Sequence, residues 1–319
     1  MTKTVLGIAG IAATLAVAAP AAAQMNDETS VASPAPDEGA AAAGDGDIIV
    51  TAQRRSERLV DVPASVVAIS GEALAQAGVN GIEDLTRQAP GVLINKTGAY
   101  VQPTVRGIGA SVQGGGAESN IAVYVDGVYF ASQTGAMFDL VNLESVQVLK
   151  GPQGTLFGRN ATGGALLLTT LTPSFTPTGK AFASFGRFNE YKLSAYASTG
   201  LTHTLAADIS VYRRHTNGFI RDLRTGERRG EQSSFDIRGK LLFEPSDAVR
   251  FILAASHTET KDPSGLTYTT LNGNSVGRNF PNSGPIAVER GTSSQEIATR
   301  IEAKVNTVSL RSEIDLGFA

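Results

Sequence analysis

An α+β region followed by a run of antiparallel β-strands is the fold class that the sequence predicts, and three observations predict it. Between Glu144 and Thr170 the string ESVQVLKGPQGTLFGRNATGGALLLTT sets valines at 146 and 148, and leucines at 166 to 168, on either side of a centre rich in glycine. Two strands around a set of turns satisfy that pattern, whereas a helix would not tolerate Gly151, Gly154, Gly158, Gly163 and Gly164. Beyond Pro173, apolar and polar residues alternate with the period of a strand over long segments. The third observation is compositional: 35 glycines and no tryptophan favour turn-rich β structure over a helical bundle. The absence of cysteine excludes disulfides and thiolate metal sites, and a net charge of -3 gives no affinity for a polyanion, so no nucleic acid is expected as partner.

In chain order, residues 1–23 carry Lys3, an apolar run from Val5 to Ala19, and Ala21-Ala22-Ala23 as a small-residue cleavage site, which reads as a secretory signal peptide cleaved before Gln24. The run ends at Pro20, short of the ~20 apolar residues of a membrane helix. Residues 24–46 are rich in alanine, proline, glycine and acids, a composition that cannot bury a core and predicts a disordered tether. Within 47–58, the β-branched run Asp47-Ile48-Ile49-Val50-Thr51-Ala52 lies between that tether and the basic Arg54, Arg55 and Arg58. It has no evident neighbour to pair with, and an unpaired strand suits strand addition by a partner.

From residue 59 the texture becomes globular. Pro63 to Ile69 reads as a strand, and Ser70 caps a short helix ending near Gly78. Asn80 with Glu83 resembles a capping box for a second helix, which shows Ile82 and Leu85 on one face and stops at Ala89-Pro90-Gly91. Val92 to Asn95 and Thr104 to Ile108 are strands, and Ile121 to Tyr129 is a hairpin with Asp126-Gly127 as a type I′ turn. Lys150-Gly151-Pro152 then fixes a sharp bend.

After Pro173, Tyr191, Leu193, Ala195 and Ala197 alternate with Lys192, Ser194, Tyr196 and Ser198, and Leu205, Ala207, Ile209 and Val211 alternate with Asp208, Ser210 and Tyr212. Phe235, Ile237, Leu241 and Phe243 oppose Asp236, Arg238 and Lys240, while Val249, Phe251, Leu253 and Ala255 share a further apolar face. A membrane barrel and a soluble β-sandwich both produce this alternation. Long polar links at 217–231 and 259–296, against short ones at 200–204 and 244–247, favour the barrel, with long outer loops and short periplasmic turns.

Enzymatic chemistry finds no footing. Gly154 to Gly158 lacks the spacing of a phosphate loop, and Gly107-x-Gly109 lacks the third glycine of a dinucleotide fingerprint. His203, His215 and His257 do not form H-E-x-x-H, G-x-S-x-G is absent, and the paired acids Asp37-Glu38 sit in the tether. A non-enzyme without a cofactor is expected.

The string from Val146 to Thr170 resembles the most characteristic part of the plug domain of TonB-dependent outer-membrane receptors. TVRGIG at 104–109 and IAVYVDGVY at 121–129 resemble two further plug signatures in the same order. The resemblance implies an α+β plug domain at 59–172, followed at 173–319 by about six or seven of the 22 strands that the family closes into a transmembrane β-barrel. The fold is thus incomplete here and the chain is expected to be a truncated form. The resemblance assigns Asp47, Ile48, Ile49, Val50, Thr51 and Ala52 to the TonB box, and Gly107, Asp126, Gly127, Lys150, Gly151, Pro152, Gly154, Gly158, Gly163 and Gly164 to the plug signatures. It further implies that Arg106 and Arg159 pair with barrel glutamates. The expected partners are TonB, powered by ExbB and ExbD at the inner membrane, outer-membrane lipid, and a small extracellular ligand with a ferric siderophore as default. The expected place is the outer membrane of a Gram-negative bacterium. Competing classes are a passive porin or secretion pore and a secreted carbohydrate-binding β-domain.

Overall fold

The computed structural model describes residues 49–50, 57–58, 64–79, 81–97, 100–110, 112, 117–133, 140–263, 287, 289–294 and 300–316. All belong to one unit, Asp47–Ala319. The expected signal peptide and tether lie outside the described residues.

Short apolar runs build a five-stranded mixed sheet from β1 (Ser65–Ser70), β2 (Ile121–Val125), β3 (Val128–Tyr129), β4 (Leu143–Lys150) and β5 (Gly164–Thr170). Its spatial order is β1-β4-β5-β2-β3. β4 runs antiparallel to β1 and β5, and β5 runs parallel to β2 with Leu166 beside Val123. A strand inside such a sheet is covered on both faces and so needs continuous apolar character, which IAVYV and GALLL supply. On one face Ile121, Val123, Val146, Val148, Leu166 and Leu168 join Leu74, Ile82 and Leu85 in the main core. On the other, Ala122, Tyr124, Leu149, Ala165 and Leu167 pack with Phe157.

The helix α1 (Gly71–Gln76) begins as expected, the Ser70 hydroxyl accepting from the Ala73 N–H at 3.2 Å. The second helix differs: Ile82–Arg87 is a 3₁₀ helix capped one residue later than expected, with Asp84 accepting from the Gly81 N–H at 3.1 Å. Ile82 and Leu85 are buried as expected, because burial of that face rather than the cap fixes where the segment lies. Asn80 lies outside the described residues. A small antiparallel sheet, 92–97 with 100–105 and 108–109, completes this half.

The second half is a sequential antiparallel sheet of six strands: β6 (Thr178–Phe185), β7 (Tyr191–Gly200), β8 (Leu205–Thr216), β9 (Gln232–Ser246), β10 (Val249–Lys261) and β11 (Glu302–Ile314). Turns at 201–204 and 247–248 join strands at one end, and links at 217–231 and 262–301 join them at the other. Within these long links, Ile220–Asp222 pairs with Arg228–Arg229 and with Thr292–Ser293 in a further small sheet. The two faces settle what the alternation left open. Leu193, Ile209, Leu241, Leu253 and Val308 point outward and are exposed, while Tyr196, Asp208, Ser210, Tyr212 and Lys240 point inward and are buried. A sandwich would bury the apolar face; apolar residues outside and polar residues inside are the arrangement of a wall facing lipid.

Candidate functional site

The glycine-rich stretch joins β4 to β5 by a path that only small residues permit. Gly164 lies opposite Lys150 in the β4–β5 ladder with φ +150°, and a Cβ there would overlap the Leu149 carbonyl oxygen. The stretch does contain one helical turn, Gly154–Phe157, which corrects the expectation that glycine excludes helix. Phe157 is buried and its carbonyl accepts from the Tyr124 hydroxyl at 2.8 Å, so tertiary contacts outweigh the local preference. Gly151 and Pro152 precede this turn, Gly158 ends it, and Gly163 leads into β5. Lys150 donates to the Pro90 carbonyl at 2.7 Å. Asp126 and Gly127 have φ of 48° and 83°, the two positive values that a type I′ turn needs.

Arg106, beside Gly107 in an exposed turn, donates to the Ser65 hydroxyl at 2.9 Å. Arg159, whose side chain is 78% exposed, pairs with Glu118 at 2.9 Å. Both partners belong to the plug. An exposed guanidinium has no desolvation to offset and needs no buried countercharge. Of the expected TonB box, Asp47, Ile48, Thr51 and Ala52 lie outside the described residues. Ile49 and Val50 pair with Arg58 and Glu57 in a two-residue antiparallel ladder, correcting the expectation that this run is unpaired. So short a ladder is marginal on its own.

What joins the plug to the sheet is a buried polar contact centred on Asp126. Its carboxylate accepts from the Thr170 N–H at 2.8 Å and the Thr170 hydroxyl at 2.6 Å, closing the hairpin turn onto the end of β5. From the sheet, Lys240 on β9 reaches the same carboxylate at 3.0 Å and donates to the Thr170 carbonyl at 3.3 Å. The Lys240 side chain is only 4% exposed, and the backbone N–H of Lys240 is held by Asp208 of β8 at 3.1 Å. Beside it Asn142 of the plug donates to Ser210 at 2.8 Å and Ser194 at 3.3 Å, and Arg238 donates to the Asn142 carbonyl at 3.4 Å. A second ion pair joins plug Lys96 to Asp262 at the end of β10, and Gln232 also donates to Asp262 at 3.2 Å. The plug therefore presents Asp126 and Lys96 to sheet residues of opposite charge, Lys240 and Asp262. Alternation puts Lys240 and Asp208 on the polar face of their strands, but no local signal names their partners.

A cavity of about 90 Å³ lies beside this contact between Asp126, Thr170, Phe130 and Leu140 of the plug and Asp236, Arg238 and Thr258 of the sheet. At the end with the long links, Asp222 is fully buried. Burial would raise its carboxyl, but the Arg224 N–H at 2.8 Å, the Arg229 side chain at 2.7 Å and the Thr225 N–H at 3.3 Å hold it below the usual range. Among the described residues no cluster of histidine and acidic side chains could hold a metal ion. His215 and His257 lie in β8 and β10, and His203 in a turn.

The TonB-dependent Receptor Plug Domain family matches residues 58–165. The pesticin receptor of Yersinia pestis is 35% identical over 133 residues, which cover 41% of this chain and 20% of that protein. The vitamin B12 transporter BtuB of Vibrio vulnificus is 29% identical, covering 58% and 31%, and the ferrioxamine B receptor of Salmonella typhimurium is 25% identical, covering 66% and 29%. The chain thus spans about a fifth to a third of the length of these relatives. Among solved structures, the ferric yersiniabactin uptake receptor FyuA of Yersinia pestis superposes with a TM-score of 0.68 at 23% identity, covering 80% of this chain and 39% of that one. The ferripyoverdine receptor of the outer membrane of Pseudomonas aeruginosa gives 0.64 at 17%, covering 83% and 34%. By name these relatives are receptors and transporters, the ferripyoverdine receptor being one of the outer membrane. Residues 58–165 thus match a TonB-dependent receptor plug domain, seated on the polar face of an antiparallel sheet whose outer face is apolar, and the chain as a whole is similar in fold to TonB-dependent outer-membrane receptors.

Proposed function

We propose that this chain is the plug-bearing part of a receptor for energy-coupled uptake of a scarce extracellular ligand, a ferric siderophore. The observation that carries the reading is the plug's seat: its hairpin and strand ends are pinned by Asp126–Lys240 and Lys96–Asp262 to the inner face of a wall that is apolar outside. A pore so obstructed conducts nothing passively, so passage needs an input of work. The run from Asp47 to Ala52 is where TonB, driven by ExbB and ExbD, would add a strand. Iron is favoured as cargo because relatives and structural neighbours are named for ferrioxamine B, ferric yersiniabactin and ferripyoverdine. The vitamin B12 transporter among the relatives supports cobalamin as the second reading.

The test is uptake of radiolabelled ferric chelates and of cobalamin by cells carrying the complete receptor, with and without TonB. Accumulation of a ferric chelate that stops without TonB is expected. Accumulation that persists without TonB would establish a passive pore, and TonB-dependent uptake of cobalamin alone would replace iron as cargo.

A further inference from the structure

We propose that Asp208 is the second partner of Lys240: when the plug moves and takes Asp126 with it, Lys240 turns to Asp208, and the wall is not left with a stranded charge. The proposal rests on the uptake reading, which needs the plug to move, and names the residue that makes the movement reversible. Asp208 is a buried acid without a countercharge. It is 8% exposed, yet among the described residues no lysine, arginine or histidine forms an ion pair with it. Its carboxylate accepts from the Lys240 backbone N–H at 3.1 Å and from the Tyr196 hydroxyl at 3.4 Å, both neutral donors. A carboxylate out of water is poorly compensated by neutral donors alone. Lys240 stands directly opposite Asp208 in the β8–β9 ladder. Side chains so placed leave the same face of the sheet with Cβ atoms about 4.5–5.5 Å apart. The Lys240 ammonium is nevertheless held by the plug, at 3.0 Å from Asp126 and 3.3 Å from the Thr170 carbonyl.

A plug that moves removes both acceptors at once, and an ammonium among packed strands without a partner is costly. Lysine is a compact charge on a flexible four-carbon stem, so a change of rotamer carries it from the plug to the acid across the ladder with no shift of backbone. Arg238 is less suited to that acid: it faces Ser210 in the ladder, and it donates to the Asn142 carbonyl at 3.4 Å. Charge balance agrees. Over 206–212 of β8 and 236–242 of β9 the charged residues are Asp208, Asp236, Arg238 and Lys240. Two acids match two cations, so this part of the wall is balanced by itself and Asp126 of the plug is the acid in excess. Lys240 thus has two seats. One fastens the plug, and the other keeps the wall compensated while the plug is displaced.

Protease nicking of the plug, in the complete receptor held in outer-membrane vesicles, tests this without reference to transport. Asp126→Leu and Asp208→Asn should each speed nicking by less than about threefold, because either acid serves Lys240, whereas the two together should speed it about tenfold beyond the product of the single effects. Adding Lys240→Met to that pair should reverse most of the excess. Effects that simply multiply overturn the proposal. If the paired variant does not insert, the crystal structure of the Asp126→Leu receptor decides: Lys240 Nζ within about 4 Å of the Asp208 carboxylate is expected, and any other seat for it overturns the proposal. In transport, Asp208→Asn should leave ligand binding unchanged and slow TonB-dependent uptake about fivefold or more. Undiminished uptake by that variant also overturns the proposal. Uptake that persists without TonB would remove the energy-coupled reading and leave the nicking result standing, while multiplying effects alongside TonB-dependent uptake would do the reverse.

Discussion

At the scale of residues, the contact with most at stake is Asp126–Lys240. A buried ion pair contributes little net stability over an apolar pair, yet removing one partner strands the other charge out of water at a cost of about 3–5 kcal/mol. Lys240→Met should therefore loosen the plug more than its lost bonds suggest. The expected outcome is faster protease nicking of the plug and sensitivity to large antibiotics, with much of the defect reversed when Asp126→Leu is added. Additive defects in that double variant would show that the two residues do not act as a pair. Asp222 makes a different prediction. Its folded-state value is depressed, so the stability it contributes is present above the ordinary aspartate value of about 3.9 and is lost as pH falls through the lower folded value. Hydrogen exchange at Arg221 and Leu223, whose N–H groups donate to Gly291 and Ser293, should stay slow at neutral pH and quicken only in strong acid. Asp222→Asn should remove that acid dependence and quicken exchange at neutral pH.

At the scale of elements, the ladder Ile49–Val50 with Glu57–Arg58 carries the coupling proposal. Two residue pairs contribute too little to hold a strand against a partner offering a longer edge. A proline at position 50 removes the backbone N–H and resists insertion into a central strand. Val50→Pro in the complete receptor should leave ligand binding unchanged and abolish energy-coupled uptake. Normal uptake by that variant would mean that this run is a linker. The glycine-rich connection makes a related point about element boundaries, since the turn Gly154–Phe157 is helical because Phe157 is buried against Tyr124, 5.4 Å between ring centres.

At the scale of the whole molecule, the sheet's two faces determine its solvent. Phe243 and Phe251 stack 6.4 Å apart near the short-turn end, and between them and Phe235 the outward face of β9 is Leu241, Gly239 and Ile237. Such an apolar band bordered by aromatic rings matches the lipid-facing belt of an outer-membrane barrel. An arginine near its middle should cost about 2–4 kcal/mol of folding in a membrane and almost nothing in water. Leu241→Arg is thus expected to reduce the heat-modifiable, membrane-inserted fraction of the complete receptor, with Leu241→Ala much milder. Equal behaviour of the two variants would place this face in water.

The sequence by itself determined what neighbouring residues can encode. Alternation at period two put Leu241 and Lys240 on opposite faces, Asp126-Gly127 specified its turn, and Ser70 marked a helix start, because each depends on side chains a few positions apart. The plug signatures were legible for the same reason, as a contiguous string in which Gly164 is required by the close approach of Leu149. Only the tertiary structure decided which charges meet. Arg106 and Arg159 look like the cations in need of partners, yet both turns are exposed and among the described residues they meet Ser65 and Glu118, while Lys240 and Asp126 find each other across the chain. The same holds for the pairing of Ile49 and Val50, and for Arg228, which reaches the Phe188 ring from another link. Charge pairing is set by burial and distance, which arise only after the strands have packed, and no local pattern of residue types carries either quantity.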